Sequence, residues 1–223
     1  MKEDILEQIV EDMFVAKTGC FVKHNVKFRP EKDDEDYISN QDSVHSDIDI
    51  LAIDQTKDGY AKVNAVTCKS WQGGLNAKMW LEELEKDISQ HEKKSYGREK
   101  WKYFRELVVP KWTKAYVDEI EKQTGTRKFT YVIACTKVVN NKSNEIEKIE
   151  QSEVFRNRFA KCGADVKIKV LTFREIVFDY FDRIDKKETN AVESTEIGRL
   201  LQLIYSSGIE LKEGENRPTI AST

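Results

Sequence analysis

Apolar residues recur at helical spacing over residues 3–14, where Ile5, Leu6, Ile9, Val10 and Met13 form one stripe and Glu3, Glu7, Glu11 and Asp12 lie off it. Gly19 closes this unit. The β-rich run CFVKHNVKF (20–28) follows and stops before Pro30, which cannot donate to a strand ladder. EKDDEDYISNQDSVHS then reads as a polar loop. Two strands are predicted next, DIDILAID (47–54) and AKVNAVTCKSW (about 61–71), joined through an Asp-Gly turn as an antiparallel hairpin. Gln72, Gly73 and Gly74 end the second strand. Helical spacing resumes over 77–94 and again over 98–123, with a break at Pro110. FTYVIACT (129–136) is a continuous apolar run of the kind a buried strand shows. A helix over 145–161, a strand over 166–171, a helix over 172–186 capped by Thr172 and a last helix over 193–206 complete the pattern. The order predicts an α/β protein with a mixed β-sheet flanked by helices.

With 223 residues, 39% hydrophobic and 35% charged, the chain can bury a core beneath a heavily solvated surface. That length predicts one domain over 1–210, with a core from 3–75 and 129–186, a helical insertion at about 77–125 and a flexible tail at 211–223. No apolar run approaches the roughly 18 residues of a membrane span. Acids interrupt the apolar stretch at the N-terminus, unlike a signal peptide. A cytoplasmic protein without a membrane partner is expected. Cys20, Cys68, Cys135 and Cys162 are far apart and form no CxxC pair, so reduced thiols are expected rather than a zinc knuckle.

The net charge of −3 gives no support for nucleic acid as a partner, but its distribution is uneven. Residues 28–49 carry eight acids (Glu31, Asp33, Asp34, Glu35, Asp36, Asp42, Asp47 and Asp49) against Arg29 and Lys32. Residues 91–116 carry eight bases against three acids. Lys93, Lys94, Arg98, Lys100, Lys102 and Arg105 are interleaved there with Tyr96, Trp101 and Tyr103, and Lys111 and Lys114 with Trp112 and Tyr116. Phosphates favour such bases, and unpaired nucleic-acid bases stack on such aromatics. An amphipathic helix with a solvated basic face accounts for the same pattern.

Period two sorts the hairpin side chains. Ile48, Ile50 and Ala52 face one way, and Asp47, Asp49 and Leu51 the other. Thr67, Lys69 and Trp71 share a face, and Val66, Cys68 and Ser70 take the opposite one. Asp49 and Lys69 are expected to meet on adjacent strands. A cross-strand ion pair is one reading. A metal site is another, since a carboxylate is a hard oxygen ligand suited to Mg²⁺ and a lysine can orient the attacking water.

DIDILAID, a short turn and VTCKSWQ together resemble two motifs of the PD-(D/E)XK nuclease superfamily, most closely its Mrr-like restriction endonuclease branch. The resemblance implies a restriction-endonuclease-like fold and Mg²⁺- or Mn²⁺-dependent hydrolysis of DNA, in restriction or defence. It implies that Asp49 and Glu7 hold the metal, with the backbone carbonyl of Cys68 as a further ligand, and that Lys69 is catalytic beside Asp49 and Glu7. Glu11 is a second match to the helical acid. Trp71 belongs either to the core or to the substrate surface, where Gln72 joins it. Thr67 stands where the family has Glu, Asp or Gln. Either fewer groups hold the metal, or another acid such as Glu82 or Glu83 moves in, or cleavage is lost. A catalytically inactive nucleic-acid-binding or assembly module is therefore the alternative, and a protein-interaction domain is a third. A homodimer stays open.

Overall fold

A computed structural model of the chain describes residues 4–17, 19–91, 99–187 and 192–208. The expected tail at 211–223 and the bases Lys93, Lys94 and Arg98 lie outside the described residues. The fold is a five-stranded mixed sheet with helices on both faces. Its strands are β1 (Cys20–Phe28), β2 (Ser46–Asp54), β3 (Val63–Lys69), β5 (Lys128–Cys135) and β7 (Asp165–Thr172), in the order β1-β2-β3-β5-β7. The first three form an antiparallel meander, and β3, β5 and β7 run parallel. Two short strands, β4 (Leu75–Asn76) and β6 (Val138–Val139), pair separately. Gly74 makes that pairing feasible, because a Cβ on it would sit 2.8 Å from the Lys137 carbonyl oxygen.

One sheet face packs under α1 (Ile5–Val15), α8 (Phe173–Asp185) and α9 (Glu196–Ser206). The stripe of α1 buries Leu6, Ile9, Val10, Met13 and Phe14, whereas Ile5 is 69% exposed at the first turn. Thr172 caps α8, as the sequence predicted, and Glu175 completes a reciprocal capping box with it. The opposite face packs under α3 (Ala77–Glu85), α4 (Arg105–Val108), α5 (Pro110–Thr124), α6 (Glu145–Gln151) and α7 (Glu153–Lys161). Pro110 opens α5 and Gly125 closes it in the left-handed conformation at φ 72°. The four cysteines are free thiols. Among the described residues no helix is long and apolar enough to cross a membrane.

Several boundaries differ from the periodicity. The helix expected over 77–94 stops at Glu85, because the Arg158 guanidinium takes the carbonyls of Leu84, Glu85 and Lys86, and Asp87 caps a separate turn. The helix expected over 145–161 divides at Ser152, whose hydroxyl donates to Glu85 at 2.8 Å. The segment before Pro110 is also broken at Phe104. The acidic loop contains a short helix, α2 (Ser39–Asp42), that pins it to α5. Strict alternation in β2 fails as well. Ile48 packs with Leu51 in one core, while Ile50 packs with Ala52 in the other. On the partner strand β1, Asn25, between the cross-strand pairs His24–Ile50 and Val26–Ile48, is likewise irregular, with a φ of 52°.

Candidate active site

The β2–β3 ladder ends at the pair Ile50–Val66. One residue further out the strands splay, and the Asp49 carboxylate fills the fork by accepting the Cys68 backbone N–H at 2.5 Å. Thr67, 7% exposed, stands between the two charges the sequence singled out. Its Oγ1 accepts from Lys69 Nζ at 2.6 Å, and its hydroxyl favours the charged form of the Asp49 carboxylate. Asp49 and Lys69 thus gather around Thr67 without a direct ion pair among the described residues. The Lys69 ammonium also lies over the Phe104 ring, 5.0 Å from its centroid.

Helix α1 brings Glu7 to the same place. Asp4 caps the helix through Leu6 N–H at 2.8 Å and also accepts from the hydroxyl of Ser70, the residue after β3. The first turn of α1 is therefore tied to the end of the strand that carries Lys69. The Glu7 carboxyl is pushed up to about 7, by burial first and then by the charges of Asp49, Asp4 and Asp47, against the pull of Lys69. Burial also pushes the Asp49 carboxyl upward; Lys69, the Cys68 N–H and the Thr67 hydroxyl oppose it, and Asp47 adds to it. Glu11 instead faces His24 at 3.4 Å. The Cys68 thiol is buried in the α1 face, and burial raises its proton affinity further, so it is no nucleophile.

Neither Glu82 nor Glu83 moves toward the fork. Glu82 reaches Lys78, and Glu83 is engaged by Lys86, Lys100 and His91. The acid that does stand near is Glu106, which the sequence reading passed over inside a basic segment. It is 5% exposed on α4 and accepts from the Tyr131 hydroxyl at 2.5 Å. Burial raises its proton affinity, while Tyr131 and Lys69 lower it and Asp49 adds to the rise. The signal for it was its place beside Leu107 and Val108 on a buried stripe.

Trp71 leaves β3 beside Lys69. Its ring stacks on Trp80 at 5.1 Å, and Tyr103, 36% exposed, stands edge-on to both. Trp71 is half-buried and Gln72 exposed, so this aromatic corner belongs to the core on one side and to solvent on the other. The described bases of the expected nucleic-acid surface already have internal contacts. Lys100 pairs with Glu83, Lys102 with Glu99 at 2.6 Å, and Arg105 lies 4.4 Å over Trp112.

Chemically, the fork combines an excess of carboxylate with one oriented ammonium. Glu7 and Asp49 are hard oxygen donors whose mutual repulsion a divalent cation would relieve. Among the described residues no three His, Cys, Asp or Glu side chains gather closely enough to enclose an ion alone. Mg²⁺ commonly takes only one or two carboxylates and keeps several waters, so the donor set fits it or Mn²⁺. Comparison with protein-family models, with curated proteins and with solved structures finds no match to this chain.

Proposed function

We propose that the chain is a divalent-metal-dependent endonuclease that hydrolyses phosphodiester bonds of DNA. The observation that carries this reading is the grouping of Asp49, Thr67 and Lys69 at the splayed end of β2 and β3, with the first turn of α1, which bears Glu7, tied to Ser70 through Asp4. The resemblance of the same two segments to PD-(D/E)XK nucleases of the Mrr-like branch supports it, with a role in restriction or defence. Glu7, Asp49 and the Cys68 carbonyl would hold Mg²⁺ or Mn²⁺, which when bound polarises the scissile phosphate. Lys69, aimed by the Thr67 hydroxyl, puts its ammonium where negative charge grows on the phosphate oxygens. Thr67 keeps that ammonium beside Asp49 without adding a third negative charge. Trp71 and Gln72 offer stacking and hydrogen-bonding surface for nucleotides flanking the cut.

A second reading, a nucleic-acid-binding or assembly module without cleavage, draws on the neutral Thr67 where the family has an acid or Gln. Nicking of supercoiled plasmid with Mn²⁺ separates the two. Wild type should nick, EDTA should stop it, and Asp49→Asn and Lys69→Ala should each lose about a hundredfold or more. Nicking that is absent from wild type, or equal in all three proteins, would overturn the nuclease reading.

A further inference from the structure

A second feature lies away from the fork. An open cleft of about 890 Å³ runs between the C-terminal half of α1 and α8, on the face of the sheet they share. Glu7, Asp49, Thr67 and Lys69 do not line it. Its lining is mostly charged and polar; Phe14, Val132 and Leu171, all largely buried, add a narrow apolar strip. Its volume is that of a small-ligand site, and its largely charged lining suits a charged ligand with a small apolar part.

The charges around it are unbalanced. Two acids of the lining are paired with cations, Asp179 with Arg183 at 2.7 Å and Asp182 with Lys186 at 2.6 Å, while Asp54 and Glu175 accept from the neutral groups of Thr56 and Thr172 and keep their charge. Lys17, Lys57 and Lys169 also line the cleft and form no ion pair among the described residues. Lys17 is half-buried, with its ammonium 4.8 Å over Phe14. Burial lowers its hold on a proton; Asp179 opposes this, and the nearby cations Arg183 and Lys169 add to it. Across the lining the six cations Lys17, Lys57, Lys169, Arg183, Lys186 and Lys187 exceed the four acids by two positive charges, the complement of a phosphate monoester near neutral pH.

We propose that this cleft binds a phosphate monoester of mononucleotide size, its phosphate held by Lys17, Lys169 and Arg183 and its ring or apolar body laid on Phe14, Val132 and Leu171. The phosphate can belong to a free nucleotide or to the 5′ end of a DNA strand. The site is independent of the metal-dependent chemistry at the fork.

Titration calorimetry of the full chain in EDTA tests this with inorganic phosphate, AMP and a short oligonucleotide with and without a 5′-phosphate. AMP should bind more tightly than phosphate, because only AMP uses the apolar strip. Lys17→Met and Lys169→Gln should each weaken AMP about tenfold, the loss expected for one charge-assisted contact. Preference for the phosphorylated oligonucleotide over AMP identifies a strand end as the source; the reverse identifies a free nucleotide. Lys169 is exposed, so its variant decides the matter even if Lys17→Met fails to fold. No binding of phosphate, AMP or phosphorylated oligonucleotide at millimolar concentration, or undiminished binding by Lys169→Gln, would overturn the proposal.

Discussion

At Thr67, a single neutral hydroxyl accepts a hydrogen bond from the Lys69 ammonium and favours the charged form of the Asp49 carboxylate. A carboxylate there would add like charge to a fork already crowded with Glu7, Asp49 and Asp47. That crowding has a measurable consequence. The folded Glu7 carboxyl is raised from about 4.5 to about 7, so the folded chain holds this proton more tightly than the unfolded chain does. The resulting stabilisation is fully present below about pH 4.5 and is lost as the pH rises through about 7. Asp49, raised as well, adds a contribution of the same sign. In EDTA the melting temperature should therefore fall between about pH 5 and pH 8, and Glu7→Gln should flatten that fall. Scanning calorimetry at four pH values measures it, and parallel curves for the two proteins would refute the raised proton affinity of Glu7.

Elements are the scale at which remote side chains decide where helices stop. Arg158 on α7 donates to Leu84 at 2.5 Å, Leu107 at 2.7 Å, Glu85 at 3.1 Å and Lys86 at 2.7 Å, so one guanidinium ties off α3 and holds α4. Arg158→Met keeps much of the apolar stem but strands four carbonyls, costing on the order of 2–4 kcal/mol. Arg158→Lys should recover only part, since an ammonium lacks the planar fork. Urea denaturation reads both; a loss for Arg158→Met under about 0.5 kcal/mol, the range of an ordinary surface change, would show that these bonds do not hold the helices. The same contacts explain what was legible in the chain. Strands β1, β2, β3, β5 and β7 and helices α1 and α8 announce themselves through period, caps and turns, which are local. The breaks at Glu85 and Ser152 depend on bonds between residues more than sixty positions apart, and no window of sequence contains both partners. In the site, Asp49 and Lys69 followed from strand pairing alone. The contact of Thr67 with Lys69 needed the splay of the strands, and Glu106 needed the packing of α4 against Tyr131.

Across the whole molecule, the two opposite charge runs find each other. The acidic loop docks on the start of α5, where Lys111 meets the Asp36 carbonyl at 2.6 Å and Asp42 at 2.7 Å, and Lys114 reaches Asp34 at 3.8 Å. Lys111 is thereby committed inside the fold and Lys114 is paired at its surface, so the basic run is less available to phosphate than its composition suggests. Asp42 is the centre of this contact. It is 1% exposed, and accepts from Trp112 Nε1 at 3.1 Å and from the Ile38 N–H at 2.7 Å as well as from Lys111. Burial alone would raise its carboxyl, but these donors outweigh burial and hold it below the usual range. Asp42→Asn removes the charge while keeping the shape, leaving Lys111, whose side chain is only 10% exposed, without its counter-ion. The cost expected for breaking a buried pair is about 3–5 kcal/mol. Lys114→Gln, at a half-exposed pair, should cost no more than about 1 kcal/mol. Freed from α5, the loop should be cut by trypsin at Lys32 in the Asp42→Asn protein faster than in wild type, and retention on heparin should rise by more than one lost acid explains, because Lys111 and Lys114 become accessible together. High salt on wild type should not reproduce the cleavage, since a buried pair is poorly screened. Equal tryptic rates in Asp42→Asn and wild type would mean that apolar contacts, and not this charge pairing, hold the acidic loop in place.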